Sequence, residues 1–435
     1  MAEIAKRALR IATASGASDA EVEVSAAVGQ SVTVRRGEVE TVEYNRDKGL
    51  SITVLFGARR GNASTSDLLP EAIDRTVEAA CAIARHTAED DAAGLPEEGR
   101  LLKGAAPDLD LFHPWSLTVE EAIELARRTE AAALRVDKRI TNTEGATISA
   151  YDTDFILANT RGFLGGYPSS KASIGCGVVA EERGAMQRDY WYTTHRDPQK
   201  LEDPDTVGRT AGERVVRRLG ARRLQTMDVP VLFEANIASS LVGHFVTAAS
   251  GSSLYRRSSF LLDRLGTDVF GHDVHIFEDP HLSGEIASAY FDAEGVATQS
   301  RPVVDGGVLK GWFLSSYSAR KLGLETTGNA GGNHNLIVKP GDRDLAGLLK
   351  TMDRGLLVTE LMGQGVNPVT GDYSRGAAGY WVEGGEIRFP VEEVTIAGNL
   401  LQMFRGIAAV GRDVLVRGSK HCGSILVDRM TIAGD

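Results

Sequence analysis

Residues 359–399 read TELMGQGVNPVTGDYSRGAAGYWVEGGEIRFPVEEVTIAGN. An apolar run ends at Glu360, a loop follows with Gly363, Gly365, Pro368 and Gly371, and the chain returns as alternating strands. Glu383-Gly384-Gly385-Glu386 places two glycines between β-rich flanks, the pattern of a tight hairpin whose central residues need positive φ. Few apolar residues occupy the loop between the strands. Polar groups on a loop carried by rigid strands commonly bind ligands, so Glu360, Gln364, Asn367, Asp372, Tyr373, Ser374 and Arg375 are candidate substrate-binding residues. In the competing reading this is a glycine-punctuated meander, and the same side chains satisfy turn backbone.

Upstream of this stretch the texture is similar. Val229–Phe233 reads as a short buried strand. Asn236 is placed to cap a helix running to about Ala249, with Ile237, Leu241, Phe245 and Ala248 on one face. Beyond it come strands with glycine turns, interrupted by a short helix near Asp344–Met352. Residues 226–435 are therefore expected to form a β-dominated, barrel-like or sandwich domain.

The first half reads differently. Residues 3–15 form a helical pattern ending at Gly16. Five β-rich runs follow: Glu21–Ala27, Ser31–Arg35, Val39–Tyr44, Leu50–Phe56 and Gly61–Ser66. A second helix spans about Pro70 to His86, with proline in its first turn. After an irregular linker, Thr118 and Glu121 form a capping-box pair that opens a helix to about Val136. Strands and a helix at about Pro204–Leu219 then repeat the arrangement. Arg36-Gly37 and Arg60-Gly61 in the first unit are echoed by Arg161-Gly162 and Arg183-Gly184 in the second. The expectation is a duplicated helix–meander–helix unit, residues 1–90 and 116–223, forming an α+β domain over 1–225.

Composition narrows the function classes. A chain of 435 residues exceeds one ordinary core. A formal charge of -11 argues against broad nucleic-acid binding, which needs a basic surface. Cys81, Cys176 and Cys422 stand far apart with no CxxC pair, as expected in a reducing compartment. The N-terminal residues read as an amphipathic helix and not as a signal peptide, and no apolar run is long enough to span a bilayer. Cytoplasmic location is the expectation.

Residues 362–400 resemble the C-terminal hallmark of the TldD/PmbA family, also known as the "modulator of DNA gyrase" family. Further stretches resemble it in the expected order: Tyr255-Arg-Arg-Ser-Ser-Phe-Leu-Leu-Asp, Phe291-Asp-Ala-Glu-Gly-Val, Gly306-Gly-Val-Leu-Lys-Gly, Tyr317-Ser-Ala-Arg-Lys-Leu-Gly and Cys422-Gly-Ser-Ile-Leu. Arg36-Gly-Glu-Val-Glu and Ala106-Pro-Asp-Leu-Asp-Leu-Phe-His-Pro resemble the PmbA (TldE) branch. The active, TldD-like branch resembles a zinc peptidase with a His-Glu-x-x-x-His helix and a C-terminal cysteine. Such a site needs imidazoles and a thiolate on the metal, one open position for water, and a glutamate base.

This sequence departs from that pattern. The matching helix reads Leu241-Val-Gly-His-Phe-Val-Thr-Ala-Ala-Ser, and no histidine in the chain is followed by glutamate. His244 and Cys422 match single ligand positions, and the second histidine falls at Ala248 or Ala249. They are read as vestiges, with no catalytic residue and no metal ligand set in this chain. The resemblance implies a heterodimer in which a TldD-like catalytic subunit supplies the zinc and the base. This chain would close the chamber and help hold unstructured peptides. Isolated, it could form a homodimer. Direct contact with nucleic acid or membrane is not expected, so any gyrase effect would be indirect. One alternative is a self-sufficient metallopeptidase using His272-Asp-Val-His275, Glu278, Asp279 and His281. A peptide-binding adaptor without protease activity is the other.

Overall fold

The computed structural model describes residues 1–104 and 108–434. Ala106 and Pro107, the start of one family-like motif, and Asp435 lie outside them. The described chain is mixed α+β. Two helix–sheet–helix runs open it: α1 (Ala2–Ala14), β1 (Asp19–Arg35), β2 (Glu38–Phe56), β3 (Arg59–Thr65) and α2 (Pro70–His86), then α3 (Val119–Leu134), β4 (Ile140–Asn159), β5 (Leu164–Glu182), β6 (Ala185–His195) and α4 (Pro204–Arg217). β1 pairs antiparallel with both β2 and β4, so the runs share one curled sheet in the order β3-β2-β1-β4-β5-β6. One face of it is buried. α1 and α2 pack with Val22, Val24, Ile52 and Val54, and α3 and α4 with Val32, Ile148, Ile174 and Val178.

Local chemistry sets these boundaries. Thr118 Oγ1 accepts from Glu121 N at 3.2 Å and a Glu121 carboxylate oxygen accepts from Thr118 N at 2.9 Å, closing the capping box. At the β1–β2 turn, Arg36 and Gly37 take φ of 55° and 77°. Their amides donate to the Glu130 carboxylate at 2.8 and 2.7 Å, tying the turn to α3. The strands are longer than the sequence runs suggest. Glu21–Ala27 and Ser31–Arg35 are one strand, as are Val39–Tyr44 and Leu50–Phe56. Gly29 does not break β1, because it stays in register with Asn45 and Tyr151. The Tyr151 ring occupies the space a side chain there would need, 2.1 Å from an ideal Cβ.

The second half begins with β7 (Met227–Phe233), α5 (Ala235–Ala248) and α6 (Gly251–Tyr255). It continues through β8 (Ile276–Glu278), β9 (Arg301–Asp305), β10 (Val308–Leu309), α7 (Ser316–Leu322), β11 (Leu336–Val338) and α8 (Leu345–Met352). It ends with β12 (Gly355–Met362), β13 (Asp372–Glu383), β14 (Glu386–Asn399), α9 (Leu400–Arg405), β15 (Ile407–Val410), β16 (Lys420–His421) and β17 (Ile425–Ala433). The neighbours β14-β13-β12-β7-β17 close on themselves through a β14–β17 pairing, giving a five-stranded barrel. Closure joins the two outer strands over Thr395–Ala397 and Thr431–Ala433. The expected two-glycine hairpin joins β13 to β14. Glu383 faces Glu386, and Gly384 and Gly385 take φ of 64° and 71°. A small sheet, β10-β9-β8-β11-β16, packs beside the barrel.

α5 differs from expectation at its start. Glu234, not Asn236, is the N-cap, and no side-chain hydrogen bond closes it. Asn236 sits inside the first turn, and its Oδ1 is buried without a partner. The two halves are joined by Arg214 to Glu234, by Gln187 to Glu392, and by the Arg222 amide donating to the Pro390 carbonyl. Among the described residues no helix is long and apolar enough to cross a membrane.

Candidate functional site

α5 decides what the chain can do. It leaves the barrel at Phe233 and presents one face to the core and the other to a cleft. Phe245 follows His244, and it is fully buried against the rings of Phe270, Phe313 and Phe404. Ala248 and Ala249 are also fully buried in that core. The positions where a base and a second imidazole would stand on this helix are therefore filled by apolar packing.

His244 is left alone. Its ring meets Tyr373 edge-on at 5.9 Å, and its Nε2 is buried without a partner. Burial, and then the nearby Arg375 charge, pull its pKa below the usual imidazole value. Cys422 is fully buried, with Sγ donating to the Gly423 carbonyl at 3.1 Å. Burial, reinforced by the Asp413 charge, pushes its thiol up to about 12. His421 is turned toward Glu285, 3.6 Å away. Zinc needs three or four ligands, including deprotonated sulfur where cysteine is one of them. His244 and Cys422 fall short of that number, and among the described residues no group of three His, Cys, Asp or Glu side chains is arranged to hold a metal ion.

The His272–His281 stretch does not assemble either. The His272 side chain is exposed. His275 Nδ1 lies 2.8 Å from Asp305, and His281 Nε2 lies 3.0 Å from Thr298 Oγ1. Glu278 points inward and is held by Arg301, Asn329 and the His334 amide. Only Glu278 of these lies on a strand, β8, while His272 and His281 sit in turns on either side of it, which disperses these groups.

Above the first turns of α5 lies a cavity of about 500 Å³, lined by β6, α5, the end of β12, β13 and residues 415–420. Its floor is an ion-pair network. Arg214 donates to Glu234 at 3.0 Å and to Asp189 at 3.3 Å. Arg218 pairs with Glu360 and lies 3.7 Å from Asp189. Burial works against the Arg214 charge, yet Glu234 and Asp189 hold its pKa above the usual value.

The candidate loop residues separate into two groups. Glu360 and Arg375 line the cavity. Tyr373 is buried beneath it beside His244, and burial raises its hydroxyl to about 12 against the opposing charge of Arg375. Gln364 and Asn367 are exposed on the loop, and Asp372 and Ser374 are exposed at the start of β13. Asn367 Oδ1 accepts from the Val369 amide at 2.9 Å and Asp372 accepts from Thr370 Oγ1 at 2.6 Å, so these two serve the turn itself. Sequence reasoning passed over Asn236, Ser240, Arg417 and Lys420, which also line the cavity.

Family models described as PmbA/TldA metallopeptidase domain 1, central domain and C-terminal domain match residues 20–84, 112–219 and 226–434. The chain is similar to the metalloprotease PmbA of Escherichia coli O157:H7, 51% identical over 97% of this chain and 94% of that one. A Bacteroides thetaiotaomicron protein, provisionally described as a modulator of DNA gyrase, superimposes with a TM-score of 0.95 at 28% identity, covering 100% of this chain and 98% of that one. TldE from Thermococcus kodakarensis shares the fold, with a TM-score of 0.87 at 21% identity over 99% of this chain and all of that one.

Proposed function

Because the chain belongs to the PmbA/TldD metallopeptidase family, we propose that it is the TldE-type subunit of a cytoplasmic heterodimeric zinc peptidase. A TldD-like chain supplies the metal and the base. This chain closes the chamber and holds unstructured peptides, whose extended backbone can be gripped without much choice of sequence. The observation that carries this reading is the α5 helix, where one imidazole survives while Phe245 and Ala249 fill the neighbouring positions with core packing. The cavity beside that helix persists. Loss of ligands with retention of the cleft supports holding over cutting. The dispersed His272–His281 side chains favour it over a self-sufficient site.

The test is reconstitution. Purified chain alone is expected to leave an unstructured peptide intact. Addition of a TldD-like chain is expected to start cleavage, at a rate above that of the TldD-like chain by itself. His244→Ala in this chain should change the reconstituted rate by less than about twofold, since removing a catalytic group typically costs a hundredfold or more. Cleavage by this chain alone, lost on His275→Ala, would establish the self-sufficient reading instead. Tight peptide binding with no cleavage even in the mixture would establish the adaptor. Any homodimer of the isolated chain should give way to the heterodimer on mixing.

A further inference from the structure

The cavity on α5 holds more positive charge than the protein around it neutralises. Arg218 is paired with Glu360 and Asp189, and Arg188 with Glu144. Three further cations, Arg375, Arg417 and Lys420, line the same space. Among the described residues none of these three has a carboxylate within ion-pair distance. Arg417 lies over the Trp191 and Tyr192 rings, 4.0 and 4.1 Å from their centres, and one of its terminal nitrogens is buried without a partner. Arg375 Nε is likewise buried, with no hydrogen-bond partner among the described residues. Among the described residues the Lys420 amine has one hydrogen bond, a long one to Ser419 Oγ, 3.4 Å. Its stem lies across α5, with Cε 3.7 Å from where a Cβ on Gly243 would stand. Burial disfavours the charged forms of Arg417 and Lys420. Partly buried charges left unpaired are costly, and three facing one cavity in a chain of net charge -11 call for an anion from outside.

The remaining orphan groups say which anion. Asn236 Oδ1 and Ser240 Oγ are buried on the first two turns of α5 with no partner among the described residues. Phosphate offers almost only acceptors, whereas a peptide terminus offers a carboxylate and, beside it, a backbone N–H and C=O. Tyr190 and Tyr192 stack at 6.2 Å on the β6 wall, an aromatic surface for the terminal side chain.

We propose that this cleft binds the C-terminal carboxylate of a peptide, with Arg375, Arg417 and Lys420 on the carboxylate and Asn236 and Ser240 on the last peptide unit. The inference rests on the peptide-holding reading above and adds a polarity to it, since the peptide enters this chain tail first.

The test uses the full chain and an unstructured peptide of Gly, Ser, Ala and Leu, fluorescein-labelled at its N-terminus. The free-acid form is compared with the C-terminal amide by fluorescence anisotropy. The acid is expected to bind at least about tenfold more tightly, about 1.4 kcal/mol. That advantage should shrink as salt is added and should disappear in Arg375→Gln and Arg417→Gln. Melting curves check that the variants fold, and the acid–amide comparison on the unaltered chain decides the matter without them. Equal binding of acid and amide would overturn the proposal and leave peptide holding intact. No binding of either form, alone or with a TldD-like chain present, would overturn both.

Discussion

Replacing Glu278 with alanine is expected to lower the free energy of unfolding by about 3–5 kcal/mol. Its side chain is 1% exposed. One carboxylate oxygen accepts from Arg301 at 2.9 Å. The other accepts from the Asn329 amide and the His334 backbone N–H, each at 2.8 Å. Arg301 in turn donates to the Trp312 carbonyl at 2.8 Å and lies over the Phe313 ring. One carboxylate therefore ties β8, β9 and the glycine loop before β11 into a single polar centre. Alanine leaves a buried guanidinium, an amide and a backbone N–H without their acceptor, and each unsatisfied group costs its desolvation. Glu278→Gln retains an acceptor for the Asn329 and His334 donors and is expected to lose clearly less. Urea denaturation of the two variants beside the parent chain, followed by tryptophan fluorescence, measures both.

Arg214→Leu is expected to cost a similar amount, about 3–5 kcal/mol at pH 8. Arg214 is 13% exposed and is shared between Asp189, 7% exposed, and Glu234, 19% exposed. Leucine keeps much of the stem's packing but leaves two shielded carboxylates facing each other across the floor of the cleft. The deficit has a pH signature. Burial already raises the pKa of Glu234, with Arg214 opposing it. Without Arg214 the rise is larger, and the folded variant takes up a proton that the unfolded chain gives up. A raised carboxyl pKa makes the native state more stable at low pH and less stable as pH climbs through the folded value. The gap between variant and parent should thus be widest near pH 8 and narrow towards pH 5. Denaturation at the two pH values checks the magnitude and the sign together.

What the sequence made legible follows from how local each signal is. Gly384-Gly385 announces a hairpin because only positive φ fits that turn, and Thr118 with Glu121 announces a helix start because both hydrogen bonds lie within four residues. The barrel's closure by β14 and β17 is non-local, and the strand texture of residues 226–435 supported only a barrel-like or sandwich expectation. The runs Glu21–Ala27 and Ser31–Arg35 read as two strands and are one for a tertiary reason, since the Tyr151 ring that fills the space beside Gly29 comes from another strand. Asn236 looked like a cap because asparagine before an apolar run usually is one. In the fold it is a polar group spared for the cleft. Glu360 and Arg375 were legible as polar residues at strand ends. Arg417 and Lys420 were not, because nothing in their own segment tells that β6 and α5 will stand opposite them. The missing glutamate after His244 was legible at once, and the structure adds what took its place, a phenylalanine locked among aromatic rings.

The central claim is that this chain holds peptide without holding the metal. The measurement that meets it most directly is the zinc content per chain of the protein purified alone, by elemental analysis, without added metal or an affinity tag. The account predicts zinc near zero, since among the described residues no third His, Cys, Asp or Glu side chain joins His244 and Cys422 in a metal-holding group. Close to one zinc per chain, lost on His244→Ala or Cys422→Ser, would contradict it.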